Sequence, residues 1–131
     1  MSILIVDDDG EYRELLAQYL GDAGFLVEQA SDGPEGLRKA LAMLPDAIVT
    51  DYAMPEMSGD RLVRLLVDNP STRSIPIVFL SALPHMIPPP ARAASTALLP
   101  KPCSPDRICA LLRVMVATRR AGAAGRPSPT S

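Results

Sequence analysis

The chain has 131 residues, of which 47% are hydrophobic, enough to bury the core of a single domain. The formal net charge is −2 and only 21% of the residues are charged, which argues against the clustered positive charge of a nucleic-acid-binding protein. No apolar run approaches the roughly 18 residues needed to cross a bilayer and no secretory leader is recognisable, so we expect a cytoplasmic protein without membrane contacts.

A short strand followed by an amphipathic helix opens the chain. Residues 2–6 form a brief apolar run of the kind found in buried parallel strands, and three aspartates follow it. Asp9 is placed to cap the first helix, and glycines at positions 21 and 24 are placed to end it. The predicted core-facing side of this helix comprises Tyr12, Leu15, Leu16, Tyr19 and Leu20.

The same unit recurs twice. Residues 25–30 are a second strand candidate, and Asp32 and Glu35 then resemble a capping box with a proline in the first turn of the helix. Residues 47–50 predict a third strand, which ends at Asp51. The apolar stripes predicted for these two helices are Leu37, Ala40, Leu41 and Leu44 for the second, and Leu62, Leu65 and Leu66 for the third.

The last part of the chain predicts two more strands and a final helix. The strands are expected to end at Ser81 and Lys101, and Ser104 is placed to cap the helix. Three consecutive prolines, 88–90, cannot lie inside a helix, so the fourth crossover helix is predicted to be short, displaced or absent. We expect one domain over residues 1–118 and a disordered tail rich in Arg, Pro and Ser over residues 119–131.

Alternating strands and helices predict an α/β fold with a parallel sheet, which binds ligands at the carboxyl ends of its strands. Asp7, Asp8, Asp51, Ser81 and Lys101 all fall at such ends. Carboxylates brought together there would repel each other unless a cation joined them, and oxygen ligands suit Mg²⁺. A carboxylate beside Mg²⁺ can attack a phosphoryl group while a lysine and a hydroxyl bind the phosphoryl oxygens.

The VDDD run, the D-x-x-M-P spacing in DYAMP, the SA pair and the KP pair occur in this order. Together they make residues 2 to 118 similar to response-regulator receiver domains of two-component signalling, the CheY-like family. The resemblance implies a doubly wound, five-stranded, flavodoxin-like sheet with strand order 2-1-3-4-5. It also implies a switch, rather than a turnover enzyme, that accepts a phosphoryl group from a sensor histidine kinase or phosphotransfer protein and signals to a downstream protein.

The resemblance implies a role for each site residue. Asp51 would be the phosphoacceptor, with Ser81 and Lys101 binding the phosphoryl group. Asp8 would ligate Mg²⁺ directly, Asp7 partly through water, and the backbone carbonyl of Ala53 would complete the protein ligands together with Asp51. The bond from Lys101 to the following proline is expected to be cis.

Two alternative functions remain open. A phosphatase of the haloacid dehalogenase type would use Asp7 and Asp9 as its D-x-D motif, although only Asp106 follows Lys101 where that family needs an acidic pair, and Asp51 would have no role. A pseudo-receiver would keep the fold as a binding module without phosphorylation, although none of the expected acids is missing.

Two features depart from the family pattern. Leu98 stands three residues before Lys101, where most receivers have a Tyr or Phe that moves when the domain is phosphorylated. His85, the only histidine, lies in the proline-rich segment and is interpreted as a loop residue.

Overall fold

The computed structural model describes residues 1–54, 57–82 and 97–125. The strands and helices in this part of the chain are β1 (Ser2–Val6), α1 (Gly10–Asp22), β2 (Leu26–Ala30), α2 (Gly33–Met43), β3 (Ala47–Asp51), α3 (Gly59–Asp68), β4 (Ile77–Ser81), β5 (Ala97–Pro100) and the C-terminal helix α4 (Pro105–Gly125).

The strands form one five-stranded parallel sheet in the order β2-β1-β3-β4-β5, which confirms the predicted flavodoxin-like topology. In the pairing register Val6 lies level with Thr50 of β3, and Ser81 lies level with Pro100 of β5. Because neighbouring parallel strands end together, the residues after them share one edge of the sheet. The register therefore places Asp7 beside Asp51, and Lys101 beside the end of β4.

Successive strand residues alternate between two cores, one on each face of the sheet. Ile3 and Ile5 enter the core covered by α1 and α4, whereas Leu4 and Val6 enter the core covered by α2 and α3. The helices contribute to the first core Leu16, Ala17, Leu20, Ile108, Cys109, Leu112, Met115 and Val116, and to the second Ala40, Leu62, Val63 and Leu66. Both faces are thus covered, as expected for a parallel sheet.

The buried side of α1 differs from the predicted stripe. Leu16 and Leu20 are buried as expected, but Leu15 is 61% exposed and Tyr19 is 38% exposed. Ala17 is buried in their place, so the helix presents a narrower face to the sheet than the stripe suggests. The Tyr19 hydroxyl instead donates a hydrogen bond to Asp106 at the start of α4.

The predicted helix caps are confirmed. The Asp9 carboxylate accepts a hydrogen bond from the Tyr12 amide at 3.2 Å, and the Asp32 carboxylate accepts one from the Glu35 amide at 2.8 Å. These bonds satisfy amide groups that a helix N-terminus otherwise leaves without partners. In α1 the cap also fixes the turn that follows the acidic end of β1.

Two predictions concern the last third of the chain, namely the crossover helix before β5 and the tail after residue 118. The predicted short, displaced or absent crossover helix, His85 and the three prolines lie outside the described residues. Helix α4 continues to Gly125, so it includes the first seven residues of the predicted tail, 119–125. Alanine and arginine in this stretch are good helix formers, which explains the continuation. In the described part of the chain no helix has the length and apolar character needed to span a membrane.

Candidate functional site

Three aspartates meet at the carboxyl edge of the sheet. Asp7 follows β1, Asp8 follows Asp7, and Asp51 ends β3, and one carboxylate oxygen of each lies within 4.8 Å of the other two. Asp7 and Asp51 are buried, whereas Asp8 is exposed. The structure therefore brings together the three acids that the sequence places at strand ends.

Lys101 supplies positive charge to this group. Its Nζ donates a hydrogen bond to Asp7 Oδ2 at 2.8 Å and lies 3.7 Å from Asp51 Oδ2. The Lys101 amide also donates to the Ser81 carbonyl at 2.8 Å, which continues the pairing of β4 with β5 beyond the last strand residue. Ser81 is buried at the same edge, so all five predicted residues lie at one edge of the sheet.

Burial and charge shift the ionisation of the site. Desolvation by burial, together with the charges of Asp7 and Asp8, raises the pKa of Asp51 to about 6 despite the opposing charge of Lys101. Burial on its own would lower the pKa of Lys101, but the hydrogen bond to Asp7 and the charge of Asp51 raise it above its ordinary value. The site is an acidic cluster that one lysine neutralises only in part.

This donor set fits a hard divalent cation. The three clustered carboxylates contribute only oxygen, the ligand type that Mg²⁺ prefers, and one ammonium does not balance their charge. The exposure of Asp8 leaves one side of the cluster open to water, which Mg²⁺ commonly retains. Ala53 lies two residues beyond Asp51 and is exposed, and the role predicted for its carbonyl oxygen stays a prediction.

Asp9 does not belong to the acidic cluster. Its carboxylate caps α1, and its amide donates to Asp7 Oδ1 at 2.9 Å. A haloacid dehalogenase site would need Asp7 and Asp9 together as its D-x-D motif. The position of Asp9 therefore disfavours the phosphatase alternative.

Two contacts of the site were not predicted. Arg13 of α1 donates to the Asp7 carbonyl at 2.8 Å and to Gln29 Oε1 at 3.0 Å, so it links the acidic loop to β2. The ring of Tyr12 lies 4.9 Å from Lys101 Nζ. The sequence places Tyr12 in the core stripe of α1. Its position three residues after the Asp9 cap, in the first turn of the helix, is the only sequence feature indicating that its side chain could reach the carboxyl edge of the sheet.

Gly59 lets the start of α3 lie close to the end of β3. A Cβ atom at this position would lie 2.7 Å from the Asp51 carbonyl oxygen and 2.9 Å from Tyr52 Cα, both of which are backbone atoms. It would also meet Phe79 at 2.8 Å. The Gly59 amide donates to the Tyr52 carbonyl at 2.7 Å, so this close approach holds the start of α3 against the residue that follows the candidate phosphoacceptor.

Gly59→Ala is expected to lower the free energy of unfolding by about 2–4 kcal/mol, because the backbone must shift to admit the methyl group. Urea denaturation monitored by circular dichroism measures the change. Gly21→Ala is the matched control, since a Cβ atom there meets nothing within 4 Å and the residue is helical. A loss at Gly59 no larger than at Gly21 would show that the backbone around Gly59 admits a methyl group without strain.

Comparison with known proteins identifies the family of the chain. Residues 3–113 match the family model of the response regulator receiver domain. The chain belongs to this family. Its cis peptide bond between Lys101 and Pro102 agrees with the bond expected from the family resemblance.

Individual relatives of this receiver domain include whole signalling proteins. The chain is 43% identical over 81 residues to the response regulator PleD of Caulobacter vibrioides, a match covering 62% of this chain and 18% of PleD. It is 42% identical over 80 residues to hybrid signal transduction histidine kinase D of Dictyostelium discoideum, covering 61% of this chain and 5% of the kinase. The chain thus spans only a small part of these relatives.

Among solved structures, the chemotaxis response regulator CheY4 of Vibrio cholerae is similar to this chain. The TM-score is 0.78 and the identity 31%, and the match covers 87% of this chain and 97% of that chain.

At the position of the usual receiver aromatic, Leu98 is half-buried and packs against the core on the α2 and α3 side. Tyr52 and Met54 pack against the same core, and Tyr52 contacts the Phe79 ring edge-to-face at 5.8 Å between centroids. An aromatic residue thus borders this core next to Asp51, although not at the usual position.

Proposed function

We propose that this receiver domain accepts a phosphoryl group on Asp51 in a Mg²⁺-dependent reaction and transmits the signal through contacts with another protein. The observation that supports this most strongly is the arrangement around Asp51. Its carboxylate lies in a cluster with Asp7 and Asp8 and 3.7 Å from the Lys101 ammonium. Among the three clustered acids, Asp51 alone lies at the end of the central strand β3.

The chemistry of phosphoryl transfer matches these groups. An Asp51 carboxylate oxygen would form a bond to phosphorus while the bond between phosphorus and the donor's leaving group breaks, which gives an acyl phosphate. Asp7, Asp8, Asp51 and the Ala53 carbonyl would hold Mg²⁺, which neutralises charge on the phosphoryl oxygens when bound. Lys101 would pair with one of these oxygens, and the Ser81 hydroxyl would donate a hydrogen bond to another.

The phosphoryl donor is proposed to be a sensor histidine kinase or a phosphotransfer protein, in line with the two-component family. A cytoplasmic location stays a prediction from the sequence. We further propose that the domain acts as a switch: the site would bind one phosphoryl group and would return to its starting state when water removes that group. The pseudo-receiver alternative is disfavoured because both the acids and the lysine are in place.

The proposal is tested by incubating the protein with acetyl phosphate and Mg²⁺ and measuring intact mass. We expect the mass of one phosphoryl group to be added to the wild type, to be lost in chelator, and to be absent in Asp51→Asn. Glu14→Gln is the control, because it removes an exposed carboxylate of α1 and should leave the gain unchanged. Equal phosphorylation of Asp51→Asn would mean that another residue is the acceptor.

A further inference from the structure

Tyr12 joins α1 to the segment that carries the site lysine. It is half-buried and packs against the core on the α1 and α4 side. Its hydroxyl donates a long hydrogen bond of 3.4 Å to the carbonyl of Cys103, two residues after Lys101. The ring is therefore held mainly by its packing against the core, and the long hydrogen bond adds little.

The face of this ring lies against the lysine ammonium. Lys101 Nζ is 4.9 Å from the ring centroid, within the range of a favourable cation–π contact. The ring and the lysine also line the same recess of about 280 Å³ at the edge of the site, together with Asp9, Ala82 and Pro102. Lys101 thus has three neighbours within the described site, which are Asp7, Asp51 and the Tyr12 ring.

These three neighbours respond differently to a bound cation. Asp7 and Asp51 belong to the carboxylate cluster that fits Mg²⁺, so a bound ion competes with the lysine for the same carboxylates and repels its charge. The Tyr12 ring is neutral and offers no carboxylate oxygen. The contact between Lys101 and this ring therefore remains available when a divalent cation binds the carboxylates.

We propose that Tyr12 is a positioning residue that retains the Lys101 ammonium at the phosphorylation site while the carboxylates bind Mg²⁺. This inference rests on the proposed phosphorylation of Asp51. It assigns to the aromatic face a role in the rate of phosphoryl transfer and none in metal binding. The hydroxyl contributes little, since its hydrogen bond to Cys103 is long and the cation is bound by the ring.

Two substitutions separate the aromatic face from simple packing. Tyr12→Leu keeps an apolar side chain in the core but removes the ring, and should slow phosphorylation by acetyl phosphate at saturating Mg²⁺ about three- to tenfold. Tyr12→Phe keeps the ring and should react within about twofold of the wild type. The Mg²⁺ dissociation constant of both variants should stay within about twofold of the wild-type value, because no metal ligand is changed.

Val27→Ala is the packing control. Val27 packs against the same core as Tyr12 but lies near the opposite end of the sheet, at the level of Ile3. This variant should lose stability and keep the wild-type rate. Equal slowing in Val27→Ala and Tyr12→Leu, or equal slowing in Tyr12→Phe and Tyr12→Leu, would overturn the proposal.

A second measurement does not depend on phosphorylation. The ¹H signals of the Lys101 Cε methylene, assigned by NMR, should show the upfield ring-current shift of a group stacked on an aromatic face. This shift should persist at saturating Mg²⁺ in the wild type and in Tyr12→Phe and be lost in Tyr12→Leu. Loss of the shift when Mg²⁺ binds to the wild type would overturn the proposal, whereas absence of any acyl phosphate in the wild type would overturn the proposed function alone.

Discussion

Asp8→Asn is expected to weaken Mg²⁺ binding by at least about tenfold and to slow phosphorylation accordingly at limiting Mg²⁺. Asp8 is the exposed member of the cluster of three carboxylates, so it can reach the ion from the solvent side. Replacing its charged oxygen by a neutral amide removes a ligand and leaves the fold unstrained, because the side chain is not in the core. Isothermal titration calorimetry with Mg²⁺ measures the change in affinity.

Asp9→Asn is the matched control for this prediction. It removes the same charge from the next residue, and asparagine caps a helix as well as aspartate does. Because the Asp9 carboxylate lies outside the cluster, Mg²⁺ affinity should fall by no more than about two- to threefold through loss of long-range attraction. Similar losses in the two variants would show that general charge, rather than ligation by Asp8, determines the affinity.

Asp51→Asn is expected to raise the free energy of unfolding of the Mg²⁺-free protein by about 1–3 kcal/mol at pH 8. Burial and the neighbouring acids raise the pKa of Asp51 from 3.8 to about 6 in the folded state. An acid with a raised folded-state pKa favours folding while it is protonated and opposes folding once it is ionised. Its favourable contribution is therefore complete below about pH 4 and is lost as the pH rises through about 6.

The stability difference between Asp51→Asn and the wild type should accordingly disappear near pH 4 and grow between pH 4 and 7, because the pKa of Asp51 is raised from 3.8 to about 6 on folding. Urea denaturation across this range measures it. Glu14→Gln, an exposed carboxylate, should change the free energy of unfolding by less than about 0.5 kcal/mol at every pH. A stability difference that does not depend on pH would assign the effect to packing of the amide.

Saturating Mg²⁺ provides an internal check on the same variant. An ion that binds only the folded protein stabilises it, and it should stabilise the wild type more than Asp51→Asn because the variant lacks one carboxylate of the cluster. The excess in free energy of unfolding of Asp51→Asn over the wild type at pH 8 should therefore shrink or change sign. If Mg²⁺ stabilises both proteins equally, Asp51 is not a ligand.

Much of the fold and of the candidate site follows from local sequence. Strands of about five residues, separated by capped helices, determine a parallel sheet. The three aspartates and the lysine, which lie at the carboxyl ends of strands 1, 3 and 5, must then meet at one edge. The caps at Asp9 and Asp32 follow from side-chain chemistry that acts over three residues. These features depend on short-range spacing, which is why they can be predicted without a tertiary structure.

Two features were decided only by the tertiary structure, because they depend on how each helix is rotated about its axis against the sheet: the buried face of α1 and the contact between Tyr12 and Lys101. The stripe of α1 allows several residues to face inward, and only packing against β-strands and α4 leaves Leu15 and Tyr19 exposed and buries Ala17. The same rotation turns the Tyr12 ring toward Lys101, 89 positions later in a chain of 131 residues. No local pattern specifies such a contact, because a hydrophobic spacing of three and four residues defines a face of a helix but not the neighbour that it meets.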